Sequence, residues 1–221
     1  MDAAIKVAVL GGMLGVMAWK VRDYLARDDE TGEGDEAPDL IDYTMQAADT
    51  GAGFFESYDD MSVEKNTAAF LMALRLGEGT SAAHGYEILC GGGRMKSFAQ
   101  HPALLGWTGW RMPLAMAAAA GFPNGAVSTA AGAFQITRPT WKRVSAKCGL
   151  TDFTPASQDK AALQLIAEKG ALGDVQAGRV ELAVSKVRKI WASLPGAGYG
   201  QREVGMLAFV DKFKNAGGTL A

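Results

Sequence analysis

Apolar positions recur at helical spacing in four stretches of the chain, 64–77, 157–169, 179–193 and 201–216. In the first, Ala68, Phe70, Leu71, Leu74 and Leu76 fall on one face, which predicts an amphipathic helix running up to Gly77. Thr154-Pro155, followed by Ser157-Gln158-Asp159, reads as a helix start, and Pro195-Gly196-Ala197-Gly198 stops the helix over 179–193. Between Gly79 and Ile136 the period is broken by Gly, Pro and short β-prone pieces such as Tyr86-Glu87-Ile88-Leu89. That predicts a small sheet or hairpin followed by loops. Helices around a minor sheet make an α+β fold, with the compact domain over 63–221.

The first 62 residues have a different pattern. From Val7 to Trp19 the chain carries no charge, with Lys6 before the run and Lys20, Arg22 and Arg27 after it. This is short of the roughly 20 residues that cross a bilayer. Counting from Ala3 and letting Lys6 and Lys20 reach the interface brings it near the minimum. A membrane anchor through residues 3–21 is the expected reading of segment 1–27. A cleaved signal peptide lacks its small-x-small site here, and a soluble packing helix is the third alternative. Asp28 to Asp39 is acidic and Gly-containing, with no apolar residue larger than Ala and Pro. It predicts a solvated, self-repelling linker over 28–62. A calcium loop would need an ordered ligand spacing that is missing.

Composition narrows the chemistry. With 48% hydrophobic residues, 221 positions suffice for one good-sized core, and a net charge of −2 argues against a nucleic-acid partner. Cys90 and Cys148 are far apart and in no CxxC arrangement, so a zinc site is not expected; one disulfide and two thiols fit equally. His84 and His101 form no HExxH pair. No GxSxG elbow, P-loop or dinucleotide fingerprint occurs, and Gly91-Gly92-Gly93 reads as a turn. Neither a metal nor a cofactor is expected, and oligomeric state is silent in the sequence.

One carboxylate stands out. Glu78 follows the apolar-periodic run and precedes Gly79, which places it where a helix ends and the chain turns. A carboxyl there can be partly desolvated and keep a proton near neutral pH. Spacing alone fits a solvated surface Glu as well.

A series of motifs then carries a resemblance. In order they are Ala69-Phe70-Leu71, Glu78-Gly79-Thr80, His84-Gly85-Tyr86-Glu87, His101-Pro102 and Ser128 to Gln135. Gly149-Leu150-Thr151-Asp152-Phe153, Ser157-Gln158-Asp159, Lys169-Gly170-Ala171-Leu172 and the long block Ile190 to Gln201 follow. The series resembles the lambda-type phage endolysins, lytic transglycosylases with a lysozyme-like fold, over residues 66 to 219. The resemblance implies peptidoglycan glycan strands as substrate, cut between N-acetylmuramic acid and N-acetylglucosamine. It also implies that Glu78 protonates the glycosidic oxygen and then, ionised, takes the proton of the muramyl C6 hydroxyl. That hydroxyl closes on the anomeric carbon to leave a 1,6-anhydro end. An intramolecular nucleophile removes the need for the second carboxylate that glycoside hydrolysis ordinarily uses. Glu87, Asp152 and Asp159 are the candidates for such a group, and each has a structural reading instead.

The resemblance extends to substrate-binding residues. Gln135 closes a Gly-x-x-Gln element that lines the sugar cleft in lysozyme-like transglycosylases, where its amide would bond an N-acetyl group. Ser128 and Thr129 precede it and would face the cleft. Tyr199 and Gln201 lie in the most specific block, with the tyrosine hydroxyl steadying Glu78 or the developing positive charge. Thr80 supports Glu78 or caps the turn, and Tyr86 reads as structural. The chain departs from the family at Ala103 to Val127, a longer loop. Trp107, Trp110 and Arg111 there fit a sugar-stacking lip, a membrane-touching surface or an extra core helix. The apolar N-terminal segment is the second departure. It implies a host-membrane or virion location for the catalytic domain.

Overall fold

The computed structural model describes residues 56–119, 123–191, 193–198 and 203–221. The expected anchor at 1–27 and the linker up to residue 55 lie outside them, as do Tyr199 and Gln201. Among the described residues no helix is long and apolar enough to cross a membrane.

Helix α1 (Glu56–Gly77) begins seven residues before the expected boundary at Val63, so the last part of the expected linker is helical. Helices α3 (Arg138–Lys147), α4 (Pro155–Ala167), α5 (Leu172–Gln176), α6 (Val180–Val187) and α7 (Met206–Asn215) complete the helical body. Helix α1 packs on α7 and α5, and α4 packs on α3 and α5. Phe70 of α1 meets Phe209 of α7 edge to face, with ring centroids 5.3 Å apart. Buried Asn66 ties α1 to the carbonyl of Gln176 and to the amide of Thr219, 2.9 and 2.7 Å away. At the other end of the core, Trp141 and Phe153 stand edge to face at 4.7 Å beside buried His101.

The small sheet lies within the expected region between Gly79 and Ile136, but not at Tyr86–Leu89. Its two antiparallel strands, β1 (Trp110–Arg111) and β2 (Val127–Ser128), pair Trp110 with Ser128 inside the long loop, with the short helix α2 (Leu114–Ala119) between them. Tyr86 instead sits in a 3₁₀ turn over Gly85–Glu87, and Ile88 and Leu89 make only isolated bridges. Gly85 explains the turn: a Cβ there would stand 1.8 Å from the Thr80 carbonyl oxygen, so the chain passes too close to run as a regular strand. Trp107 and Trp110 pack against a small second core of Cys90, Met112, Ala117 and Ala130. Trp110 lies on Gly91, where a Cβ would come within 2.1 Å of the indole. Both tryptophans are half-buried, and neither lies in a helix. Arg111, Leu104, Leu105 and Leu114 face solvent. Cys90 and Cys148 are both thiols.

Two polar clamps join these parts. Gly132 has φ +76°, and a Cβ there would lie 2.1 Å from Oε1 of Gln158, a fully buried side chain of α4. That oxygen accepts the amide of Ala133 at 2.8 Å, while Nε2 of Gln158 donates to the carbonyls of Phe153 and Tyr86. The second clamp is Arg75, buried in the last turn of α1. Its guanidinium donates to the Thr80 carbonyl through Nε and Nη2 at 3.1 and 2.9 Å, reaches the Ala82 carbonyl, and lies 4.5 Å from the centre of the Tyr86 ring. The Tyr86 hydroxyl in turn donates to Asp159 at 2.8 Å.

Gly132→Ala is therefore expected to cost about 2–4 kcal/mol, from left-handed strain plus loss of the Gln158 seat, read as a shift of the urea midpoint. Burial first, then the bond to Asp159 and its charge, push the Tyr86 phenol up from 10.0 to about 12, against the opposing Arg75. A phenol raised on folding stabilises the fold fully below its unfolded value and loses that contribution as pH rises through its folded value. Urea unfolding at stepped pH should show stability falling between about 10 and about 12, with a smaller fall in Tyr86→Phe.

Candidate active site

The acid-bearing turn is set by how α1 ends. Gly79 takes the left-handed conformation (φ +69°). Its amide donates to the Leu76 carbonyl at 3.2 Å, and the Thr80 amide donates to the Arg75 carbonyl at 2.9 Å. This pair of bonds is a Schellman motif, and it makes Glu78 the C-cap residue of the helix. Only a glycine takes the next position without strain, which is why Glu-Gly closes the apolar run.

The Glu78 side chain is fully buried. The sequence reading expected a partly desolvated carboxyl facing a groove, and the structure corrects this: water does not reach it. A negative charge here meets two costs, lost hydration and the negative pole of the helix it caps. The Ser193 hydroxyl opposes them, donating to Oε1 at 3.0 Å.

Thr80 is also buried, and its hydroxyl donates to the Ala133 carbonyl, tying the acid-bearing turn to the turn over 132–135. Trp191 holds the same turn from the other side, its indole N–H donating to the Phe134 carbonyl at 3.2 Å. The tertiary structure thus gathers Glu78, Thr80, the Ala133–Gln135 segment and Ser193. Gln135 has φ +46° and is almost wholly buried, with its amide nitrogen donating to the carbonyls of Gly132 and Ile88. An N-acetyl group would therefore have to replace one of those carbonyls to receive that donor. Ser128 is buried on β2 and accepts the Ala130 amide at 3.2 Å. Thr129, half-buried, accepts the Arg138 amide at 3.0 Å at the start of α3. Both hydroxyls serve the backbone leading into and out of the turn that carries Gln135.

Each candidate for a second carboxylate has a task elsewhere. Glu87 pairs with Arg94, whose hydrogen bonds hold its carboxyl below the usual range. Asp152 accepts from the Thr154 amide and from the hydroxyls of Thr154 and Ser157, which lower it likewise and organise the start of α4. Asp159 is raised by burial and accepts from Tyr86. Sequence reasoning missed Arg75, Gly77 and Ser193. A basic residue between Leu74 and Leu76 was a signal for the first. The other two carry none that a single chain displays.

A sequence model of the Endolysin family matches residues 68–220. The endolysin of Escherichia phage P2 is 39% identical over 170 residues, covering 73% of this chain and 98% of the relative. The endolysin of Escherichia phage lambda is 36% identical over 166 residues, covering 72% and 96%. Among solved structures, bacteriophage lambda lysozyme complexed with a chitohexasaccharide superposes with a TM-score of 0.60 at 36% identity, over 71% of this chain and 97% of that one. The lysozyme-like fold, the matched span and the near-complete coverage of the relatives lead to one conclusion: the chain belongs to the endolysin family.

Proposed function

We propose that this endolysin is a lytic transglycosylase that cuts the β-1,4 bond between N-acetylmuramic acid and N-acetylglucosamine in peptidoglycan. The observation that carries the reading is a fully buried carboxyl at a helix end, Glu78, with Glu87, Asp152 and Asp159 each engaged elsewhere. The chitohexasaccharide held by lambda lysozyme supports a glycan as the substrate class.

The chemistry follows from one acid. Protonated Glu78 gives its proton to the glycosidic oxygen as the bond to the anomeric carbon breaks and the electron pair leaves with that oxygen. The carboxylate so formed accepts the proton of the C6 hydroxyl, whose oxygen bonds the anomeric carbon and closes the 1,6-anhydro ring. Burial favours the proton donor before the step, and the C6 hydroxyl needs no encounter because it belongs to the same sugar. A hydrolytic muramidase would instead need a water in that place, activated by a second base or by Glu78 itself.

Mass spectrometry of digested peptidoglycan separates these outcomes. Anhydro-muramyl ends are expected; reducing ends would establish hydrolysis. Glu78→Gln should lower the cleavage rate by at least about 10²-fold with the fold retained by circular dichroism. A variant that still lyses walls at the wild-type rate would remove Glu78 from the mechanism.

The uncharged run Val7–Trp19 supports delivery through the membrane, at residues 3–21. The full chain should then pellet with membranes and resist alkaline carbonate extraction. Placing lysines at Leu10 and Leu14 should release it to the supernatant.

A further inference from the structure

Ser193 contributes no group to the bond changes above, yet its place beside Glu78 is fixed from several directions. Its hydroxyl donates to Oε1 of Glu78 at 3.0 Å, with 1% of the serine and none of the glutamate exposed. Gly77, just before the acid, leaves the space this hydroxyl needs: a Cβ there would stand 2.7 Å from Ser193 Oγ. The serine carbonyl accepts the Val204 amide at 2.8 Å, and Trp191, two residues earlier, is anchored on the Phe134 carbonyl. The contact joins residues 115 positions apart in sequence, so it exists only in the assembled fold.

We propose that Ser193 is the positioning residue of the reaction, holding Oε1 of Glu78 through its hydroxyl and so reserving Oε2 as the oxygen that releases and recovers the proton. In the protonated acid Oε1 is the carbonyl oxygen and accepts the serine hydrogen. After transfer it is a carboxylate oxygen and accepts the same hydrogen. One bond therefore serves both halves of the reaction, and the carboxyl does not turn between them. Gly77 is part of the device, because any side chain there would push the hydroxyl off its seat. The proposal rests on Glu78 being the acid.

The test is a double-mutant cycle in the full chain, with initial rates on uncross-linked glycan strands resolved into kcat and KM. Ser193→Ala is expected to lower kcat by about 10- to 100-fold and leave KM within about twofold, as loss of alignment at the reacting centre should. Gly77→Ala should do the same by displacing the hydroxyl, and it provides the reading if Ser193→Ala folds poorly. In Gly77→Ala/Ser193→Ala the clash is gone, so the double variant should be no slower than Ser193→Ala alone. Wild-type kcat in Ser193→Ala beside an inactive Glu78→Gln would overturn the role of Ser193 alone, as would losses that multiply in the double variant. An active Glu78→Gln would overturn the acid assignment itself, and this proposal with it.

Discussion

A carboxyl group deprived of water at the C-terminal pole of a helix is the constraint around which the rest of this domain is arranged. Helix α1 must stop at one residue for Glu78 to cap it, and the left-handed Gly79 with its two backbone bonds enforces that stop. The chain leaving the turn must then be held, because a loose turn would let water back to the acid. Arg75 does so from within the helix, bonding the Thr80 carbonyl while its charge lies over the Tyr86 ring. Thr80 fastens the same turn to Ala133. The scaffold stabilises what the acid alone would destabilise, namely a polar group in a place that favours its neutral form.

This arrangement commits the remaining polar side chains to structure. Gln158 commits its amide to three backbone partners, and Gly132, lacking a Cβ, lets it approach. Asp152 organises the start of α4, Asp159 receives the Tyr86 hydroxyl, and Glu87 answers Arg94. Gln135, Ser128 and Thr129 also hold backbone groups. A nucleophile carried by the substrate lets a single acid–base residue suffice, and that is the economy the proposed reaction uses.

The long loop shows the same preference for packing. Its two tryptophans have the composition of a sugar-binding lip, yet both lie against a small core with Cys90, Met112 and Ala130. Trp110 covers Gly91, and the strand pair Trp110–Arg111 with Val127–Ser128 sets Ser128 just ahead of the turn that carries Gln135. The loop thereby braces the site from outside, with Arg111 and the leucines on its solvent face.

Much of this was legible in the chain because it is local. The apolar period of α1, its end at Glu78-Gly79 and the start of α4 at Thr154-Pro155 each depend on residues within a few positions of one another, where backbone propensity and capping act. Helix α3 escaped because only Trp141 and Val144 among its ten residues are buried, too few to mark a period. The strand expected at Tyr86–Leu89 became a turn because Gly85 lies against Thr80, a contact that propensity does not encode. The sequence by itself determined which residue ends the helix and which carboxylate that end presents. Whether the carboxylate would be hydrated, and which hydroxyl would meet it, was decided only when Ser193 arrived from far along the chain; burial and side-chain hydrogen bonds depend on packing among distant segments.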